Sequence, residues 1–430
     1  MAGRARLRIV TSKPTTRDAS TRAPTAHHLR APRSADTRVH LLTRVQLLVG
    51  AYSHFLGRGN PHRRPGRRRG RGLPRPPPYG RLRSPEPAPL ARDRRYPRRP
   101  RRARRRSPTT AAPHGSAPVG TRTPSPRTAP LPLPATEGPP VKNLRVPVSK
   151  TVSLTVRHRP AAGPDAPGRP FVLLHGLLSN ARMWDEVAER LAAAGHPVYA
   201  VDQRGHGASD IPPDGYEHAA VVTDLARTFA ALELEHALVA GHSWGGHLAL
   251  RLAAEHPRLV DGLALVDGGW YEFDGPVMRA FWERTADVVR RAQEGTTKAA
   301  DMRAYLRSVH PDWSPAAVEA RLADYHVSPD GLLIPRMTAE QVMSIVESLQ
   351  RESPADWYPK IAVPVVLLPV IPNIPQLVDQ VRAWVDAAEA ALDRVRVRWY
   401  DGSDHDLHAS APDEVAADLL RLAGTVSAAH

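Results

Sequence analysis

The stretch GHSWGG at residues 241–246 decides the fold predicted for this chain. It follows the apolar run 237–240 and precedes a helical pattern, 246–255, that stops before Pro257. A serine at so sharp a strand-to-helix turn needs glycine two positions before and after it, because larger side chains would collide across the turn. The pattern predicts that the Ser243 hydroxyl stands out above the edge of a sheet.

Apolar runs of strand length lie on both sides of this turn. They cover residues 171–174, 198–201, 237–240, 263–266, 363–368 and 395–400. Their hydrophobicity is continuous, which is typical of strands buried on both faces of a parallel sheet. Helical patterns at 184–194 and 219–232 lie between them, and short runs at 144–148 and 152–157 predict an antiparallel edge. The alternation predicts an α/β fold with a doubly wound, mostly parallel sheet.

Residues 271–357 interrupt this alternation with several helical stretches and no convincing strand. We therefore expect an inserted helical cap within a domain of residues 141–430. The cap and the residue before it contribute aromatic side chains that either line a substrate pocket or pack the cap on its base: Trp270, Tyr271, Phe273, Phe281, Trp282, Trp313 and Tyr325.

Residues 1–140 differ in composition from the rest. They carry 32 Arg or Lys against 5 Asp or Glu, whereas residues 141–430 carry 28 against 38, so the formal net charge of +17 belongs to the front segment. With 24 of the 45 prolines and few apolar residues, the segment is predicted to be disordered. We interpret it as a solvated tail or a gene-model extension. Nucleic acid is an alternative partner for its charge, although no folded nucleic-acid module surrounds it.

The chain has no cysteine, which excludes disulfides, thiolate metal sites and a cysteine nucleophile. Its longest early apolar stretch, 47–56, is too short to span a bilayer. We expect a cytoplasmic protein that acts on a small molecule, away from membranes and without a metal or organic cofactor. The sequence leaves the oligomeric state open.

A serine hydroxyl becomes a useful nucleophile only beside a base, normally histidine. In this architecture the base follows the last strand, and His405 stands there, with His408 as the competitor. The oxyanion that forms on attack needs two backbone N–H donors. Trp244, after the serine, and Leu177, in the loop after the 171–174 strand, are the predicted donors. His175 is expected to brace that loop.

Residues 144–430 resemble the α/β-hydrolase fold superfamily, in its esterase, haloperoxidase-like and epoxide-hydrolase-like branch. The resemblance lies in His175-Gly176, in the stretch DQRGHGASD at 202–210, in the 241–246 turn, and in His405 followed by Pro412. Members that open epoxides or displace halide carry aspartate as nucleophile. The resemblance with Ser243 in that place therefore implies transfer of an acyl group to water.

The sequence differs from the family pattern at the acid that orients the histidine. By resemblance it should follow the 363–368 strand, where the neutral Asn373 stands. Asp267, at the carboxyl end of the 263–266 strand, is the preferred substitute. Asp379, predicted to be buried in a helix, remains an alternative, as does an orienting Asn373 or no acid at all. Asp404 is disfavoured because it adjoins His405.

The sequence thus predicts a serine hydrolase that acts on an ester or related acyl substrate, with Ser243, His405 and Asp267 as the catalytic set. Two other classes stay open. A scaffold without its acid would be a catalytically impaired binding protein, and the basic arm would make a nucleic-acid-associated protein.

Overall fold

The structure is a computed structural model, and it describes residues 140–163, 168–273, 275–372 and 375–427. The predicted disordered segment at 1–140 falls outside these residues, apart from Pro140. So does Asn373, the residue at the place where the family resemblance puts the acid.

Ten strands occur in the described residues. They are β1 (Lys142–Pro147), β2 (Ser153–Arg159), β3 (Phe171–Leu174), β4 (Val198–Asp202), β5 (Ala237–His242), β6 (Val260–Val266), β7 (Tyr325–Val327), β8 (Leu333–Pro335), β9 (Val365–Leu368) and β10 (Val395–Val397). Eight of them form one sheet in the order β1-β2-β4-β3-β5-β6-β9-β10. β1 pairs with β2, and β2 with β4, in antiparallel fashion, and the remaining pairs are parallel. The predicted mostly parallel α/β sheet is confirmed.

Ten α-helices occur in the described residues. They are α1 (Asp185–Ala193), α2 (His218–Ala231), α3 (Trp244–Glu255), α4 (Pro276–Ala292), α5 (Ala299–Val309), α6 (Pro315–Leu322), α7 (Ala339–Arg351), α8 (Pro375–Ala391), α9 (Leu407–Ser410) and α10 (Pro412–Ser427). Short 3-10 turns cover Ala181–Trp184, Pro354–Asp356 and Tyr358–Lys360.

The central strands are buried on both faces, which explains their continuous hydrophobicity. In β3, Val172 and Leu174 pack into one apolar layer, which includes side chains of α2, α3 and the cap. Phe171 and Leu173 point to the opposite layer, which includes side chains of α1 and α10. Because successive side chains of a strand alternate between faces, both layers need apolar residues at every position.

The inserted segment contains the expected helices, α4 to α7, but the expectation that it holds no strand was wrong. β7 and β8 form an antiparallel pair, with Tyr325 opposite Pro335. Each strand has only three residues, and Val327 is 58% exposed, so the pair lacks the long apolar run by which strands are recognised in a sequence.

In the part of the chain that the structure describes, no helix is both long enough and apolar enough to cross a bilayer.

Candidate active site

Ser243 occupies a strained turn between β5 and α3. Its φ is 51° and its ψ −117°, a backbone conformation that costs a non-glycine residue roughly 1–3 kcal/mol. Its amide donates to the Val266 carbonyl at 3.0 Å, and its carbonyl accepts from the Gly246 amide at 2.9 Å. These bonds hold the serine at the edge where the parallel strands end, the usual place for a site in such sheets.

Glycines make this turn sterically feasible, as the sequence pattern predicts. A Cβ on Gly241 would lie 2.1 Å from the Gly245 carbonyl oxygen, and one on Gly245 would lie 2.5 Å from the Leu174 carbonyl oxygen. A third glycine, Gly268, was not singled out from the sequence. A Cβ there would lie 2.3 Å from the Ser243 carbonyl oxygen.

The structure brings two of the predicted site residues together. Nδ1 of His405 lies 2.7 Å from Oδ2 of Asp267, although the two residues are 138 positions apart in the chain. Asp267 follows β6 directly and is only 3% exposed. His405 lies in the loop between β10 and α9, at the same edge of the sheet.

The second carboxylate oxygen of Asp267 is also engaged. Oδ1 accepts hydrogen bonds from the Tyr271 hydroxyl at 3.0 Å and from the Val370 amide at 3.1 Å. Both oxygens therefore have donors, and the carboxylate is fixed in one orientation toward His405. The sequence pointed to Tyr271 only as an aromatic residue of the cap, because a tyrosine five residues after a strand carries no signal of its contact with Asp267.

The electrostatic surroundings of His405 favour its protonated form. Burial of the ring lowers its pKa, but the hydrogen bond and charge of Asp267 raise it, with help from the charges of Asp406 and Asp404. The result is a pKa above the usual value for histidine. A base of raised pKa accepts a serine proton more readily, provided that the ring is neutral at the working pH.

The competitor His408 lies in a different environment. It is fully buried, packs its ring against Trp184 and His242 with centroids 4.5 and 4.4 Å apart, and neither ring nitrogen has a hydrogen-bond partner among the described residues. Burial lowers its pKa to about 4. The structure brings no carboxylate into hydrogen-bond contact with His408 within the described chain.

The other candidate acids stand elsewhere. Oδ2 of Asp404 lies 2.7 Å from Nδ1 of His310, in the cap. Asp379, expected to be buried, is instead exposed on α8, so that expectation was wrong. The helix turns this side chain to solvent while Val381 and Val385 face the core.

The predicted oxyanion donors lie on either side of Ser243. The amide of Trp244 is the first of α3, and first-turn amides have no acceptor within their own helix. The loop that carries Leu177 passes directly against the serine, since a Cβ on Gly176 would lie 3.2 Å from the Ser243 Cβ. Among the described residues, the Leu177 amide has no acceptor, whereas the next amide, of Leu178, donates to Nε2 of His206 at 3.2 Å.

His175 braces this loop as expected. Its Nδ1 lies 2.7 Å from the Gly176 carbonyl oxygen, and its Nε2 accepts from the Gln203 amide at 3.1 Å. Burial holds its pKa well below the usual value, which keeps the ring neutral and fits one donor and one acceptor nitrogen.

Within the described part of the chain, one cluster of residues offers metal-ligand atoms. Nitrogens of His242 and His408 and a carboxylate oxygen of Asp406 lie within 4.8 Å of one another, all buried. Nε2 of His242 already lies 2.8 Å from the His405 carbonyl oxygen, and the two imidazoles pack ring against ring. We therefore assign the cluster to the packing behind His405.

A pocket lies between the cap and the sheet edge, and it is partly open to solvent. Of the seven aromatic residues proposed for pocket lining, Tyr325 is one of its walls, and the other six do not line it. Trp270, Phe273, Phe281 and Trp282 are buried in the apolar layer shared by cap and base.

Comparison with known proteins places this geometry in a family context. Residues 169–406, more than half of the chain, match the family model described as alpha/beta hydrolase fold. The chain is 38% identical over 100 residues to the AB hydrolase superfamily protein YisY of Bacillus subtilis, which covers 23% of this chain and 37% of that protein. It thus spans little more than a third of the length of that relative.

A longer similarity joins the chain to 2-(acetamidomethylene)succinate hydrolase of Mesorhizobium japonicum, at 28% identity over 204 residues, 47% of this chain and 68% of that enzyme. A crystal structure of an E-2-(acetamidomethylene)succinate hydrolase superposes with a TM-score of 0.55 at 23% identity, covering 66% of this chain and 98% of that one. At that identity the superposition shows the shared fold.

Proposed function

The chain belongs to the alpha/beta hydrolase fold family, and from that premise we propose that it is a serine hydrolase that cleaves an ester or related acyl compound through an acyl-enzyme. The hydrogen bond of 2.7 Å between His405 and Asp267 carries the proposal. It supplies the oriented base that a serine nucleophile needs, on the sheet edge where Ser243 stands.

The mechanism follows from the tautomer that this bond selects. With the Nδ1 proton of His405 donated to Asp267, the lone pair of Nε2 is free to accept the proton of Ser243 as its oxygen attacks the acyl carbon. The oxyanion accepts hydrogen bonds from the amides of Leu177 and Trp244. His405 then gives the proton to the leaving group, and the acyl-enzyme forms.

The second half of the reaction uses the same groups in reverse. His405 takes a proton from water, the hydroxide attacks the acyl carbon, and the oxyanion again rests on the two amides. Return of the proton to Ser243 releases the acid. Support from relatives is general: the similar enzyme of Mesorhizobium japonicum is named a hydrolase.

The binding-protein alternative rested on the neutral Asn373 at the family position of the acid. Asp267 offers His405 a carboxylate from another strand, which weakens the ground for that alternative. The nucleic-acid alternative rests on residues outside those described, and it stays a prediction. Salt-dependent DNA binding that vanishes on deletion of residues 1–140 would support it.

The test is a rapid-mixing time course of the full chain with 4-nitrophenyl butyrate. We expect the parent to give either a burst of nitrophenolate equal to the enzyme concentration or steady turnover. In Ser243→Ala both should be lost, with kcat lower by roughly five orders of magnitude or more. Ser308→Ala, an exposed serine of α5, is the matched control and should behave as the parent. Turnover retained in Ser243→Ala would refute the assignment.

A further inference from the structure

The pocket between the cap and the sheet edge adjoins the predicted oxyanion donors. Its base wall includes Leu178 and His206. Leu178 follows Leu177 in the chain, and the His206 ring lies 5.3 Å from the ring of Trp244. The pocket therefore begins one residue along the chain from the predicted donor Leu177, and we take one end of a substrate bound there to extend into it.

The cap wall of the pocket carries charge. Arg321, Asp324 and Arg336 line it, beside Tyr325. Arg321 is buried and already has partners. Its Nη1 donates to the Leu178 carbonyl at 3.2 Å and lies 3.5 Å from Oδ2 of Asp324. This arginine therefore holds the cap on the oxyanion loop, and Asp324 balances part of its charge.

Arg336 differs from Arg321 in its contacts. Among the described residues, no carboxylate lies within ion-pair distance of it, and its Nε is buried without a hydrogen-bond partner. The neighbouring acid Asp202 is occupied, because its two oxygens accept the amides of Ala181 and Ala208 at 2.7 and 2.9 Å. A buried donor left unpaired costs roughly 1–3 kcal/mol, a cost that an anionic ligand would remove.

The remaining groups leave the pocket positive. Burial raises the pKa of Asp324 to about 7, so this acid carries only part of its negative charge at neutral pH. Burial lowers the pKa of His206 to about 4, so its ring is neutral. The two arginines thus outweigh the one acid.

We propose that Arg336 binds a carboxylate on the acyl part of the substrate, which makes half-esters or half-amides of dicarboxylic acids the substrate class of this site. The inference rests on the proposed function. The unpaired Nε donor of Arg336 calls for an anionic acceptor, and the planar guanidinium matches the one charge and the two oxygens of a carboxylate.

The test compares two matched substrates on the full chain: the mono-4-nitrophenyl ester of adipic acid, and the same ester with its free carboxyl group methylated. We expect the parent to prefer the anionic ester by about 10- to 100-fold in kcat/KM, the usual value of a charge-assisted hydrogen bond. Arg336→Gln should bring this ratio close to one, and Arg336→Lys should restore part of it. Arg307→Gln, an exposed cap arginine, should leave the ratio unchanged.

A binding measurement separates this inference from the proposed function. Adipate is titrated calorimetrically into Ser243→Ala and into Ser243→Ala with Arg336→Gln. Binding that needs Arg336, with no hydrolysis of either ester by the parent, would support the anion site and overturn the serine hydrolase. Hydrolysis of both esters at equal rates, unaffected by Arg336→Gln, would overturn the anion site alone. If adipate does not bind and neither ester is hydrolysed, the anion site and the serine hydrolase are both overturned.

Discussion

Replacement of Asp267 by asparagine should remove most of the activity while the fold stays intact. Oδ1 of Asp267 faces two donors, the Tyr271 hydroxyl and the Val370 amide. Asparagine must keep its oxygen toward them, so its NH₂ group faces Nδ1 of His405. That nitrogen must then accept a hydrogen bond, which moves the ring proton to Nε2, the atom that should take the serine proton.

The magnitude follows from this change of tautomer and from the lost charge beside the imidazolium. The same substitution in a serine protease triad lowers kcat about 10⁴-fold, or roughly 5–6 kcal/mol of barrier. We expect a similar fall for Asp267→Asn, with KM little changed because the carboxylate lies behind the histidine. The assay is steady-state hydrolysis of 4-nitrophenyl butyrate by the full chain, with circular dichroism as the check of folding.

The matched control is Asp379→Asn, the alternative acid, which lies exposed on α8. It should retain the parent rate within about twofold, the range of a neutral surface change. The reasoning is refuted if folded Asp267→Asn keeps more than a tenth of the parent kcat, or if Asp379→Asn loses as much as Asp267→Asn does.

Three further predictions concern the same region. The pKa of His405 is raised, and only the neutral ring is a base. We therefore expect kcat/KM to rise with pH through a midpoint above 6.5, the ordinary pKa of histidine. A midpoint below 6 would contradict this. Tyr271→Phe removes one donor to Asp267 and should lower kcat about threefold to tenfold; an unchanged kcat would show that the contact is unimportant. Gly245→Ala should lower the free energy of unfolding, measured in urea, by about 2–4 kcal/mol. The control Gly424→Ala lies in open space on α10 and should leave that free energy equal or up to about 1 kcal/mol higher. Equal losses in the two variants would contradict the steric explanation.

The parallel sheet was predictable because its strands are short, apolar throughout and separated by turn residues. The strand bounds at 171–174 coincide with β3, and the helical pattern at 219–232 differs from α2 by one residue at each end. The glycine pattern around Ser243 was predictable for a different reason, since the turn tolerates no other residue there. Local steric and burial rules were thus enough to predict most of the fold.

The site was less accessible from the sequence because its contacts join distant strands. Its place at the carboxyl end of a strand suggested Asp267 as an acid, but only the register of β6 against β9 and the loop after β10 brings it to His405. Arg336 carried no signal, since a single arginine between Pro335 and Met337 belongs to no catalytic or binding motif. Its significance comes from the pocket that the cap forms with the base.

The most direct test of the central claim is covalent labelling of the full chain with a fluorophosphonate, followed by mass spectrometry of the intact protein and of its peptides. We expect one adduct per chain, located on Ser243, absent in Ser243→Ala and strongly slowed in Asp267→Asn. Folded protein that takes up no label, or a label on another residue that persists in Ser243→Ala, would contradict the claim that Ser243 is an activated nucleophile.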